Sequence, residues 1–202
     1  AFPDSFSYGN EAVETVSYDP EGAKKLLEES GWKDTDGDGY ADKDGQKLTI
    51  DWLTYPTRLE QPKLAEYAQA TLKEIGIDVV VNNTSDHMTY AADGNFDVYV
   101  SSTTTAPTGD PEYFFTSTVV GPKNYGKYEN KEVTALTEKL HQAFEPEERA
   151  KLATELQQKI LDDDGFFFVS HLNMGIVTKS NVKGMAAHPC DYYEITAELD
   201  VE

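Results

Sequence analysis

The sequence predicts a mixed α/β domain in which helices flank a sheet. One observation is a strand–helix–strand pattern over residues 48–81, which indicates a β-α-β unit with a right-handed crossover. The other is an alternating strand at residues 96–100, which passes into five hydroxyl residues and a loop broken by Pro107, Gly109 and Pro111. Ligands tend to bind where strands of an α/β sheet end, so this loop is the best candidate for a binding site.

Length and composition limit the possible partners. The chain has 202 residues and 39% hydrophobic content, enough for one domain, or for one large domain with a small appendage. Its 37 Asp and Glu against 17 Lys and Arg give a formal charge of -20, which argues against nucleic acid and anionic membranes as partners. No run approaches the roughly 18 apolar residues of a membrane span, so direct membrane insertion is not expected. The single Cys190 excludes an internal disulfide and a Cys-cluster metal site.

The first elements in chain order are an edge segment and a helix. Residues 1–17 are turn-rich and begin abruptly, which suggests an extended segment at the edge of a fragment, with the domain proper at 18–202. Asp19 followed by Pro20 is typical of a helix start, and Gly31 can end that helix.

An acidic loop at residues 34–45 follows as a surface appendage. Its ligand-type residues match positions 1, 3, 5, 7 and 9 of an EF-hand-like loop, in the order Asp34, Asp36, Asp38, Tyr40 (through its carbonyl) and Asp42. Position 12, which usually supplies a bidentate Glu, is Gly45. Two interpretations stay open: a structural Ca²⁺ site of modest affinity, and a solvated acidic hairpin.

The remaining elements follow from hydrophobic periodicity. The pattern predicts these helices: 59–75, 85–93, a turn at 111–117, one marked by Val133, Leu136, Leu140 and Phe144, and one from Pro146 with Leu152, Leu156 and Ile160. The short β-prone run 166–170 predicts a buried strand, and residues 174–178 and 192–199 are further extended candidates.

Six stretches occur in an order that is characteristic of one protein family. They are residues 18–32, 72–79, 94–97, 110–111, 124–133 and 181–184. In this order the chain resembles the second lobe of cluster-5 solute-binding proteins, the peptide and nickel type of ABC importers.

The resemblance implies the architecture and the partners. It implies a periplasmic-binding-protein-like type II lobe, a mixed sheet flanked by helices, isolated from a two-lobed protein whose N-terminal lobe is missing here. It further implies an ABC permease as partner, an extracytoplasmic location in the periplasm or as a cell-surface lipoprotein, and no catalysis.

The resemblance also bears on the ligand. In the peptide branch the loop after the central strand carries an Asp that pairs with the peptide's amino terminus, and here Pro107 stands in its place. A buried ammonium without a partner is costly. The loop is closer to the nickel branch, so the expected ligand is nickel or a small-molecule metal chelate. The alternative is a short peptide whose amine is met elsewhere, for instance by Asp110.

The candidate ligand residues lie in the central loop and among the histidines. Thr103, Thr104 and Thr105 can hydrogen-bond a ligand, although threonine also simply favours strand ends. Ala106 and Pro107 complete the loop, and Asp110 is either a ligand residue or a helix cap.

Neutral imidazole suits Ni²⁺, which makes His171 and His188 the histidines to consider. His171 follows the predicted strand at 166–170, and the resemblance implies that His188 lies where the family's chain approaches the hinge. His87 and His141 are expected to have no ligand role.

The sequence also bears on two other classes of function. The chain has no Gly-x-Ser-x-Gly, His-Glu-x-x-His or phosphate loop, so an enzyme is not expected. The acidic loop motivates a second alternative, a calcium-organised interaction module.

Overall fold

The computed structural model describes residues 1–173, 175–186 and 195–202. Its contacts divide the chain into two compact units. Residues 16–103 form one, called the sheet unit, while residues 1–15 and 104–202 form the other, called the helical unit.

The sheet unit contains three helices and five strands. In chain order they are α1 (Pro20–Glu29), β1 (Asp42–Lys43), β2 (Gln46–Lys47), β3 (Thr49–Thr54), α2 (Glu60–Lys73), β4 (Asp78–Asn83), α3 (His87–Asp93) and β5 (Val98–Tyr99). Asp19 caps α1 as predicted, since its Oδ1 accepts the Gly22 N–H at 2.9 Å. Gly76, at φ +85°, follows the end of α2 and lets the chain turn into β4.

The predicted β-α-β unit is confirmed. The main sheet has the order β4-β3-β5, and both pairings are parallel. Leu53 of β3 and Val79 of β4 are buried, and α2 places the fully buried Ala65 on its inner face. Because all three strands run the same way, their carboxyl ends share one edge of the sheet.

The strand that leads into the polar loop is shorter and less buried than predicted. Only Val98 and Tyr99 pair with β3, and both are half-buried. β5 lies at one edge of the sheet and has β3 as its only neighbour there, which leaves its other side uncovered by the sheet.

The helical unit is organised around two helices. Its elements are a 3-10 turn (Asn10–Ala12), α4 (Glu112–Phe114), a π-helical turn (Phe115–Val119), α5 (Lys131–Gln142), α6 (Pro146–Asp162), β6 (Val182–Lys183) and β7 (Asp200–Val201). The core consists mainly of side chains from α5, α6 and the turns before them: Phe114, Phe115, Val119, Val133, Leu136, Leu140, Ala153, Leu156 and Ile160. Burial of each large apolar side chain contributes about 1.5–3 kcal/mol.

The amino-terminal segment differs from the expected edge segment. Phe2 is fully buried, and its ring meets the Tyr8 ring edge-on at a centroid distance of 4.9 Å. Residues 1–15 therefore belong to the core of the helical unit, because their aromatic side chains fill it.

Two predictions in the helical unit were wrong. Phe144 does not continue the apolar face of α5: the helix ends at Gln142, the next backbone is extended, and Phe144 is 88% exposed. Residues 166–170 form no strand, although Phe166 and Phe168 pack inward beside the 82% exposed Phe167. The in–out alternation is present, but a strand also needs a neighbour, and no described residue pairs with this run.

The predicted extended segments 174–178 and 192–199 lie partly outside the described residues. Within the described part of the chain, no helix is long and apolar enough to span a bilayer.

Candidate ligand-binding site

The predicted ligand residues form a short polar segment that has no internal partners. Thr103 ends the sheet unit and Thr104 and Thr105 begin the second part of the helical unit. Neither the backbone nor the hydroxyl groups of residues 103–105, called the polar segment below, make a hydrogen bond to any described residue. All three side chains retain access to solvent. Their donors and acceptors are therefore available to another molecule.

The chain immediately before the polar segment is held by a tyrosine. The Ser102 N–H donates to the Tyr55 hydroxyl at 3.1 Å, and the Gln61 Nε2 lies 3.3 Å from Ser102 Oγ. The Tyr55 ring stacks on His87 with centroids 4.0 Å apart, and His87 Nδ1 lies 2.7 Å from the Tyr99 hydroxyl. These contacts, which include no ion pair and are called the tyrosine anchor below, fix the upstream end of the segment.

Two buried polar side-chain atoms without hydrogen-bond partners lie at the edge of the sheet where β3 ends. Thr54 ends β3 and is fully buried, while Gln61 stands in the first turn of α2 with 3% exposure. Thr54 Oγ1 and Gln61 Oε1 have no hydrogen-bond partner among the described residues. A buried polar atom without a partner costs about 1–3 kcal/mol, and such costs are often tolerated at functional sites.

The chain after the polar segment is held by charges. Arg149 of α6 forms a bidentate ion pair with Asp110, through Nε at 2.9 Å and Nη2 at 2.7 Å. Its Nη2 also donates to Glu112 at 2.9 Å, and His141 Nδ1 lies 2.7 Å from the other Glu112 oxygen. This group of Asp110, Glu112, His141 and Arg149 is called the arginine clasp below.

Arg149 also caps the carboxyl end of α5. Its Nη1 donates to the carbonyls of Leu140 and Ala143, at 2.7 and 2.6 Å, which lie at the carboxyl end of α5. All five guanidinium N–H groups are thus used, and the turn that follows the ligand loop is joined to α5 and α6.

The loop itself is closed by short-range contacts. The Gly109 N–H donates to the Ala106 carbonyl at 3.0 Å, and the Tyr8 hydroxyl donates to the Gly109 carbonyl at 2.5 Å. Gly109 has φ +79°, which favours glycine there. Burial, followed by the charge of Asp110, raises the pKa of Tyr8 to about 12, so this hydroxyl keeps its proton at neutral pH.

Asp110 has the geometry of a helix cap. Its Oδ1 accepts the Glu112 N–H at 2.9 Å, and both oxygens meet Arg149. Burial raises the pKa of Asp110, but the hydrogen bonds from Arg149 and from the Glu112 N–H outweigh it and leave a net lowering. The carboxylate is therefore ionised at neutral pH and already paired.

The two candidate histidines are not joined to the loop. His171 lies in an irregular exposed run, and no hydrogen bond among the described residues connects it to residues 103–110. His188 lies outside the described residues. A nickel role for either stays a prediction.

The acidic loop brings only part of its predicted ligand set together. One oxygen each of Asp34, Asp36 and Asp42 lies within 4.8 Å of the others. Asp38 instead pairs with Lys47 at 2.8 Å, and the hydrogen bond from Lys47 lowers the pKa of Asp38. The Tyr40 N–H donates to Asp38 Oδ1, and Lys47 Nζ lies 4.2 Å from the centroid of the Tyr40 ring. Calcium binding here stays a prediction.

Sequence reasoning missed the residues that hold the polar segment. Tyr55, Gln61, Glu112 and Arg149 carry no motif, and their partners lie up to 47 positions away. A signal for Arg149 was nevertheless present: one of two arginines in a strongly acidic chain, three residues after the helix start at Pro146, calls for carboxylate partners.

Comparison with known proteins identifies the family. Residues 1–126 match the bacterial extracellular solute-binding proteins, family 5. The oligopeptide-binding protein AppA of Bacillus subtilis is 28% identical over 200 residues, which cover 96% of this chain and 37% of AppA. Its structure in complex with a nonapeptide matches 95% of this chain and 40% of that chain, with a TM-score of 0.80 at 26% identity.

Nickel-binding proteins are similar as well. The nickel-binding periplasmic protein of Escherichia coli is 35% identical over 118 residues, 57% of this chain and 22% of that protein. Nickel-binding protein NikA of Staphylococcus aureus is 26% identical over 168 residues, 82% of this chain and 34% of that protein. Its structure with Ni(L-His)2 has a TM-score of 0.71 at 23% identity over 99% of this chain and 41% of that chain. The chain thus spans well under half the length of these relatives, and it belongs to the bacterial extracellular solute-binding proteins of family 5.

Proposed function

We propose that this chain is the C-terminal lobe of a two-lobed substrate-binding protein of an ABC importer, which captures a small solute outside the cytoplasm and delivers it to a permease. The partial coverage of the relatives supports a second lobe elsewhere in the same protein. The family is extracellular, which supports a periplasmic location or a surface lipoprotein. A family of solute-binding proteins also agrees with the expected absence of catalysis.

The observation that carries this proposal is the polar segment at residues 103–105. Its ends are anchored, yet its own hydrogen-bonding groups have no partner among the described residues. Because both ends of such a segment are held, it loses little further conformational entropy when a ligand binds. Within the sheet unit, the orphan oxygens of Thr54 and Gln61 are further polar groups without partners where β3 ends.

Within this function, a nickel chelate is the favoured ligand. Pro107 stands where the peptide branch has its amine-binding Asp, and the relatives include nickel-binding proteins. Asp110 is a poor substitute for the missing carboxylate, because Arg149 already occupies both of its oxygens. An added ammonium would have to displace a bidentate guanidinium.

A short peptide is the second candidate. AppA, an oligopeptide-binding protein, matches 96% of this chain. The unpaired backbone groups of the polar segment would also suit an extended peptide, which could pair with them as an added strand.

Native mass spectrometry of the two-lobed protein purified from its host separates these candidates. We expect a single retained species that contains nickel and a small organic chelator. A mixed population of peptides would replace the nickel proposal with the peptide one. A protein that retains neither, and gains neither when supplied with both, would contradict the proposed function.

A structural Ca²⁺ ion in the acidic loop is a separate and weaker proposal. Asp34, Asp36 and Asp42 supply the hard oxygen atoms that calcium prefers, while Asp38 would have to leave Lys47 to join them. The family membership gives no support to the alternative of a calcium-organised interaction module, because the family binds solutes.

A further inference from the structure

The ligand loop ends in a charged cluster that reaches three helices. Arg149 lies in α6, His141 in the last turn of α5, and Glu112 at the start of α4. Asp110 precedes α4 and is the last residue of the loop. One side chain, Arg149, contacts all three elements directly.

The cluster is not needed to complete the apolar core. The twelve buried side chains of the core include none of the four clasp residues, and the Asp110 side chain is 40% exposed. Arg149 instead fixes the position of Asp110. A planar guanidinium that makes two parallel hydrogen bonds to a carboxylate sets both the direction and the distance between the two groups. The loop from Ala106 to Asp110 is thereby held against the helix pair.

The charges of the cluster balance only when His141 is protonated. Asp110 and Glu112 carry two negative charges, and Arg149 supplies one positive charge. The groups that face His141 are Glu112 from α4, Glu138 from its own helix and Arg149 from α6. The hydrogen bond and charge of Glu112, assisted by Glu138, raise the pKa of His141, while burial and Arg149 oppose this.

We propose that Arg149 is a positioning residue for ligand binding, which fixes the downstream end of the polar segment through Asp110 and Glu112, and that His141 makes this hold depend on pH. The proposal rests on the proposed function, because it takes the polar segment as the ligand contact. A protonated His141 places a second positive charge beside Glu112, after that of Arg149, and so strengthens the contacts within the arginine clasp. The contribution of His141 to this hold is fully present below its unfolded-state pKa of 6.5. It is lost as the pH rises through the raised pKa of the folded state.

Amide hydrogen exchange in the two-lobed protein without ligand tests the clasp directly. The reporters are the Gly109 N–H, bonded to Ala106, and the Glu112 N–H, bonded to Asp110. In Arg149→Lys we expect exchange at these two amides, corrected for the intrinsic rate, to be faster by about tenfold while amides in the middle of α5 change little. The matched control is Lys159→Gln, which removes another ion-paired cation from the same helix, far from the clasp in sequence and partnered with Glu132.

The pH arm separates positioning from general support of the fold. Wild-type protection at the two reporter amides should fall severalfold from pH 6 to pH 8, and this step should vanish in His141→Gln. Binding should follow the same pattern, measured with nickel(II) and two equivalents of L-histidine, and with a mixed-sequence nonapeptide. Affinity for the probe that binds should fall in Arg149→Lys and be retained in Lys159→Gln.

The roles of Arg149 and His141 and the proposed function can each be contradicted separately. Uniformly faster exchange across α5 and α6 would show a purely structural arginine, and selective loop exchange with unchanged affinity would remove its positioning role. A pH step that persists in His141→Gln would remove the histidine from the account. A wild-type protein that binds neither probe counts against the proposed function, and the exchange arm then still decides on the clasp.

Discussion

The two ends of the polar segment are held by different kinds of interaction. Upstream, the tyrosine anchor consists of hydrogen bonds without an ion pair and a ring stack around the 7% exposed Tyr55. Downstream, the arginine clasp consists of four charged or titratable groups, with Asp110 partly open to solvent. The difference teaches that salt should weaken the downstream end of a binding loop and leave the upstream end unchanged. Four predictions test this comparison.

The largest effect is expected from Asp110→Asn. The change removes the charge that pairs with Arg149 but keeps an oxygen able to cap Glu112, so we expect a loss of about 1–2 kcal/mol in unfolding free energy, after screening at this partly exposed site. Urea unfolding measures it. The control is Glu66→Gln, which changes an exposed acid on α2 that has no ion pair among the described residues, and it should alter the unfolding free energy by no more than a few tenths of a kcal/mol. An equal loss in this control would show that Asp110→Asn acts only through net charge.

A smaller loss is expected from Tyr55→Phe. The ring stack on His87 is kept, but the Ser102 N–H loses its acceptor, which should cost about 1 kcal/mol. Tyr67→Phe is the matched control, because Tyr67 is 71% exposed. If the two variants unfold at the same urea concentration, the tyrosine anchor does not hold Ser102.

Acid and salt should both weaken the downstream end. The folded pKa of Asp110 is lowered, so its stabilisation is present above the ordinary value of 3.8 and is lost as pH falls through the lowered folded value. The stability difference between wild type and Asp110→Asn should therefore shrink below pH 3.8, and also in 1 M salt. The difference for Tyr55→Phe should stay constant in the salt series, because no ion pair holds Ser102, and a parallel decrease there would erase the distinction between the two ends.

The acidic loop provides a third case, with the smallest expected effect. Its carboxylates are held chiefly by backbone N–H groups of the same loop, as when Asp34 accepts from Gly37 and Gly39. If calcium binds, EGTA should lower the melting temperature by about 1 °C, and Asp36→Asn should abolish that shift. Asp44→Asn, outside the predicted ligand set, should retain it. No response to EGTA in the wild-type protein would remove the site.

The parts of the fold that depend on local pattern were predictable. Asp19 caps α1 as predicted, and the periodic residues 133, 136 and 140 are buried as expected. Parallel pairing of β3 with β4 followed from the length of the crossover between them. In each case the signal lies within a few residues of the structure it specifies.

The parts that depend on distant partners were not predictable. The run at 166–170 has the composition of a strand but no strand beside it, and Phe144 falls just past a helix end that its apolar character does not reveal. Asp110 was correctly given a cap geometry as one reading, yet its pairing with Arg149 joins residues 39 positions apart. The sequence located the polar segment, and only the structure identified what holds it.

The most direct test of the central claim is the affinity of Thr104→Val/Thr105→Val for the ligand that the two-lobed protein retains. The substitution keeps the branched shape of both side chains and removes two solvent-accessible hydroxyls that have no partner among the described residues, so stability should change by no more than about 0.5 kcal/mol. If these hydroxyls bind the ligand, calorimetry should show affinity weaker by about tenfold or more, at an unchanged melting temperature. Wild-type affinity in the double variant would contradict the assignment of this segment as the ligand contact.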